Sequence, residues 1–73
     1  MTSITVKFAE HITSEYQDGL MAEFVADMDA EVARVSPGRW RIVSRRDRRT
    51  ESVVSQLESE ARDGRLVIED RRE

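Results

Sequence analysis

Three stretches of this chain alternate apolar and polar residues with a period of two. Ile4, Val6 and Phe8 share one side of residues 3–9, opposite Thr5 and Lys7. Trp40 and Ile42 share a side of residues 39–45, opposite Arg39, Arg41, Val43 and Arg45. Leu66 and Ile68 do the same in residues 65–70, opposite Arg65, Val67 and Glu69. Alternation of this kind marks a strand that is buried on one face only. The pattern therefore demands a sheet with one apolar and one polar face, covered from a single side.

The covering layer is helical. Tyr16, Leu20, Phe24, Met28, Val32 and Val35 recur every three to four residues, and Met21 and Val25 widen the stripe, which predicts an amphipathic helix over 14–35. Ser14 with Gln17 has the spacing of a capping box. Asp18 is an alternative cap, which would leave 10–17 as a loop, and Gly19 weakens the first turn by about 1 kcal/mol. Ser36-Pro37-Gly38 is a stop signal. Thr50 is a fair N-cap for a second helix over 51–63, carried by Val53, Val54, Leu57 and Ala61 and closed by Gly64.

The expected fold is thus one small two-layer α/β domain of order β-α-β-α-β, or α+β where a strand runs antiparallel. It has a three-stranded sheet with two helices on one face, because right-handed crossovers in strand order 1-2-3 put both helices on the same side. Two tensions follow. A purely parallel sheet usually has both faces covered, so either a partner or second copy covers the polar face, or a strand is antiparallel. A helix of about 22 residues is also about 33 Å long against about 23 Å for a seven-residue strand. The first helix should overhang the sheet or break near Gly19. With 73 residues the chain buries only about 60% of its unfolded surface, so self-association or a partner surface is plausible on energetic grounds.

The net charge of -3 conceals a segregation. Residues 1–33 carry one cation and seven carboxylates, residues 34–50 seven arginines against Asp47, and residues 51–73 four arginines against seven carboxylates. Glu23, Asp27 and Glu31 are spaced four apart and would stack on one ridge of the first helix, where like charges cost about 0.2–0.5 kcal/mol per pair. The ridge is a solvated face, a patch for a basic protein partner, or a surface onto which the arginine segment folds back. Arg39, Arg41 and Arg45 share a strand face, and Arg46, Arg48 and Arg49 lead into the second helix, where free N–H groups already favour an anion. That segment is a candidate anion or nucleic-acid site, although the outward sheet face has no aromatic residue on which a base could stack. Lys7 is the only lysine. An arginine excess reflects either coding bias or selection for arginine's two-pronged grip on carboxylates and phosphates.

Little points to catalysis. There is no cysteine, hence no disulfide, thiol nucleophile or thiolate metal site. His11 stands beside Glu10 and one turn before Glu15, but no third ligand follows at motif spacing, and Ser14 reads as a cap rather than a nucleophile. No catalytic residue, cofactor or metal is expected, and no membrane span or signal segment, which places the chain in the cytoplasm. The expected function is that of a small non-enzymatic regulator or adaptor acting by protein–protein contact through the acidic ridge and the exposed sheet face. Its size invites comparison with phage or mobile-element accessory proteins. The alternative is nucleic-acid binding by the Arg39–Arg49 segment. A homodimer that sets the acidic ridge of one copy against the arginines of another is a third arrangement.

Overall fold

The computed structural model describes residues 1–45 and 47–73. Six elements follow in order: β1 (Thr2–Phe8), α1 (Ser14–Met28), β2 (Ala30–Ser36), β3 (Arg39–Ser44), α2 (Asp47–Arg62) and β4 (Leu66–Arg72). The alternation holds where it was strongest. In β1, Ile4, Val6 and Phe8 are buried while Ser3, Thr5 and Lys7 face the other way, and in β3 Trp40 and Ile42 are buried. Leu20, Met21 and Phe24 of α1 and Val53 and Leu57 of α2 complete one core against these strands. Both helices lie on one face of the sheet, as expected.

The sheet has four strands rather than three, in order β2-β3-β1-β4, and all neighbours are antiparallel. Each helix joins two like-directed strands with an opposed strand between them, the split β-α-β, or ferredoxin-like, arrangement. This resolves the first tension, because an antiparallel sheet commonly leaves one face open to water.

The extra strand comes from what reads as the second half of the first helix. The helix does not run over 14–35; it ends at Met28 after 15 residues. Asp29 turns left-handed (φ 53°, ψ 38°) and its N–H bonds the Phe24 carbonyl. Non-glycine residues rarely adopt that conformation, but aspartate is among those that do. The stop therefore has no glycine or proline to announce it. Shortened in this way, α1 is about 23 Å long and matches the strands, without a break at Gly19. Ser36, Pro37 and Gly38 make the turn between β2 and β3, with Gly38 at φ 78°. The Gly38 carbonyl accepts from the Phe8 N–H at 2.7 Å.

The helix ends are otherwise simple. Thr13 caps α1, its Oγ1 accepting from the Tyr16 N–H at 3.1 Å. Ser14 is the first helical residue rather than the cap. The second helix starts at Asp47 instead of residue 51, because Arg48 and Arg49 are good helix formers. Thr50 lies inside the first turn, its hydroxyl 2.9 Å from that of Ser44. At the other end Gly64 (φ 79°) sends its N–H to the Ala61 carbonyl, and Arg65 sends its own to Glu60, both at 3.0 Å. This pair of bonds is a Schellman motif, which needs a residue that tolerates the left-handed region.

Candidate binding surfaces

With both helices on one side, no described residue forms a covering layer over the opposite face of the sheet. Strand parity and register assign that face to Ser3, Thr5 and Lys7 of β1, Arg39, Arg41 and Val43 of β3, and Glu31 and Ala33 of β2. From β4, Val67 stands beside Lys7 and Asp70 beside Thr5. No aromatic residue lies there: Phe8, Phe24 and Trp40 are in the core and Tyr16 is on α1. The face therefore offers no platform for stacked bases.

The arginine segment divides into paired and free members. Arg39 grips Glu69 with two bonds, Nε to Oε1 at 2.7 Å and Nη2 to Oε2 at 3.1 Å, reaching across β1 to do so. Those bonds hold the Glu69 carboxyl below its usual range and raise the Arg39 guanidinium. Arg45 meets Glu31 at 2.9 Å. Arg72 bonds Asp70 at 2.8 Å. Arg41, in the middle of the face, has no ion pair among the described residues, and neither do Arg48 and Arg49 in the first turn of α2. Arg46 lies outside the described residues.

The acidic ridge is shorter than its spacing suggests. Glu23 and Asp27 lie exposed on α1 with no ion pair among the described residues. Glu31 is not on the helix; it belongs to β2, on the open sheet face, paired with Arg45. The acidic and basic segments thus meet at Arg45–Glu31 and at Arg34–Asp18, while Glu23, Asp27 and Arg41 have no ion pair among the described residues.

Two polar clusters escape a reading by residue pattern. The buried Gln17 of α1 accepts from the Trp40 indole N–H at 3.0 Å and donates to the Ile12 carbonyl at 3.2 Å. Arg34 lies over the same indole, 4.9 Å from the ring centre, and pairs with Asp18 at 3.2 Å. The second cluster is on the helix side, where the buried Glu60 accepts from the Tyr16 hydroxyl at 2.5 Å and from Arg65 at 2.8 Å. The bond to Glu60 raises the Tyr16 phenol above its usual value, with burial adding to it. Each cluster unites residues far apart in sequence, so neither carries a local motif.

His11, Glu10 and Glu15 are exposed, and no group of three metal-ligating side chains forms among the described residues. Among the described residues, no helix is long and apolar enough to cross a membrane. No protein-family model matches the chain, and no curated protein or solved structure does.

Proposed function

We propose that this chain is a small non-enzymatic regulator or adaptor that works by binding another protein. It does so through Glu23 and Asp27 on α1 and through the open face of the sheet. The observation that carries this reading is the placement of both helices on one side, which leaves a four-stranded sheet with one bare face. Glu23 and Asp27 support it. They keep like charges one helical turn apart with no ion pair among the described residues, an arrangement that costs stability and suits a basic partner.

The test is capture of a partner from the native host by the immobilised chain, compared with the double variant Glu23→Lys, Asp27→Lys. Charge complementarity governs encounter and register, so capture should disappear with the reversal. Unchanged capture would show that these carboxylates form only a solvated face.

A second reading rests on Arg41, Arg48 and Arg49, which carry no carboxylate partner among the described residues. If they bind nucleic acid, each phosphate contact contributes about 0.7–0.9 to the slope of log affinity against log salt. An absence of binding to single- or double-stranded DNA or RNA at low salt removes that reading.

A further inference from the structure

The two edges of the sheet are built differently. The outer edge is β4, whose pairing with β1 shifts register between Thr5 and Val6 and whose far half is Glu69, Asp70, Arg71 and Arg72. A bulge and a dense run of charge are the usual means of keeping an edge from pairing. The other edge is β2, which pairs with β3 in unbroken register from Ala30 to Arg34 and slips only between Arg34 and Ser36. A shallow, mainly apolar groove runs beside it, lined by Val25, Ala30, Val32, Ala33 and Val43 together with Glu31 and Arg41. Val25 of α1 is 49% exposed there.

We propose that two copies of this chain pair antiparallel through β2, about a two-fold axis at Val32. The bounds of the regular segment fix the register. Asp29 turns left-handed on one side and the slip beyond Arg34 closes the other, so the segment open to pairing is Ala30–Arg34, whose midpoint is Val32. A two-fold axis there sets Val32 against the partner's Val32, Ala33 against the partner's Glu31, and Ala30 against the partner's Arg34.

Charge complementarity selects a second copy as the occupant. Arg41 neighbours Ala33 across the β2–β3 ladder, so in this register Arg41, Ala33 and the partner's Glu31 fall in one row across the open face. Arg41 and the partner's Glu31 would then stand two strand spacings apart, about 10 Å between backbones, with only the methyl group of Ala33 between them. The same interval is already bridged within one chain, where Arg39 of β3 reaches over β1 to Glu69 of β4. The two-fold axis supplies two such pairs. The Glu31 carboxylate, held by Arg45 of its own chain at 2.9 Å, has the lone pairs to accept the second arginine as well. On the helix side, the two copies of Val32 and Val25 join into one covered apolar strip. The product is a continuous eight-stranded sheet with four helices on one face and the bare face doubled in width. It is separate from the binding of any heterologous partner.

Sedimentation equilibrium on the full chain tests it, together with Arg41→Glu, Glu31→Arg and the double swap. A concentration-dependent dimer is expected. Each single variant sets like charges in the row and should raise the dimer dissociation constant at least about tenfold, while the swap restores it. Thermal melts confirm that each variant folds. A second measurement uses the absence of native cysteine. Opposed residues in an antiparallel pair lie about 4.5–5.5 Å apart at Cα, within disulfide reach. Val32→Cys should therefore oxidise readily to a covalent dimer, while Val67→Cys on the opposite edge should not. A monomer at all concentrations up to about 1 mM overturns the proposal. So does a dimer indifferent to Arg41→Glu, or one that cross-links equally well through Val67→Cys.

Discussion

The Tyr16 hydroxyl donates to the buried Glu60 carboxylate at 2.5 Å, tying the first turn of α1 to the last turn of α2. Arg65 closes the other side of the same carboxylate at 2.8 Å. Tyr16 is the only tyrosine, so its titration can be followed directly by ultraviolet absorbance. The phenol should ionise at higher pH than the free side chain's value of about 10. Because the folded value is raised, the associated stability is intact below the unfolded value and is lost as pH rises through the folded one. Glu60→Gln should move the midpoint back down. Glu60→Ala, which strands two donors that still reach water, should cost about 1–2 kcal/mol in urea unfolding.

Gln17 satisfies the indole N–H of Trp40. Replacing it with leucine keeps the bulk and removes the acceptor, leaving a buried donor without a partner. The expected loss is about 1–3 kcal/mol. Trp40 is the only tryptophan and reports the unfolding by its own fluorescence. A Gln17→Leu protein as stable as the parent would show that the bond contributes nothing net.

Two glycines should respond to alanine with opposite signs. Gly64 sits at φ 79°, where a Cβ is strained whatever space surrounds it, so Gly64→Ala should destabilise by about 1–2 kcal/mol. At Gly19 an added Cβ meets nothing within 4 Å and the backbone is already helical. There the same change should stabilise by about 0.5–1 kcal/mol. Chemical denaturation of the two variants measures both.

Asp27 lies in the last turn of α1, which has no basic residue. A carboxylate there opposes the helix dipole, and Glu23 one turn earlier adds repulsion. Asp27→Lys should therefore stabilise the fold by about 0.5–1 kcal/mol while weakening capture of a basic partner. Stability and binding moving in opposite directions would separate a retained interaction site from an indifferent surface.

The Arg39–Glu69 pair gives an acid-side signature. Glu69 has a lowered folded value, so the pair's contribution is present above the ordinary carboxylate value of about 4.3 and fades as pH falls through the folded one. The gap in urea midpoint between the parent and Glu69→Gln should be widest near neutrality and narrow toward pH 3. A gap that does not change with pH would contradict this.

How much of this was legible beforehand depended on which signals coincide. The strands carrying Ile4, Val6 and Phe8, and Trp40 and Ile42, were readable because alternation at those positions fits no helix. The one-sided sheet and the placement of both helices followed from it, and so did Trp40 in the core. The stretch after Met28 reads as helix because Met28, Val32 and Val35 satisfy helical spacing, while Ala30, Val32 and Arg34 satisfy strand spacing equally well. The deciding event is the backbone of Asp29, and a left-handed aspartate leaves no mark in a pattern of apolar residues. That one turn of backbone puts Glu31 on a sheet edge instead of an acidic helix and leaves the groove beside β2 out of sight of the sequence pattern. Arg39 falls on the strand face its position predicts and Arg45 just beyond the end of β3 rather than on it, but their neutralisation by Glu69 and Glu31 depends on register, which only the folded sheet defines.

The place of β1 has a consequence for the order in which the molecule can be made. Thr2 pairs with Ser44 on one side, and Ser3 pairs with Arg72 on the other. Of these four strands the first in the chain is therefore an interior one, and its second neighbour in the sheet is the fourth. The β2–β3 hairpin and both helices can form from local contacts, but the sheet cannot close until residues 66–72 have returned to β1. Ladders that join sequence extremes fold slowly. Until then Ile4, Val6 and Phe8 wait beside an unfilled edge, and in that interval β1 is the segment most open to a wrong partner.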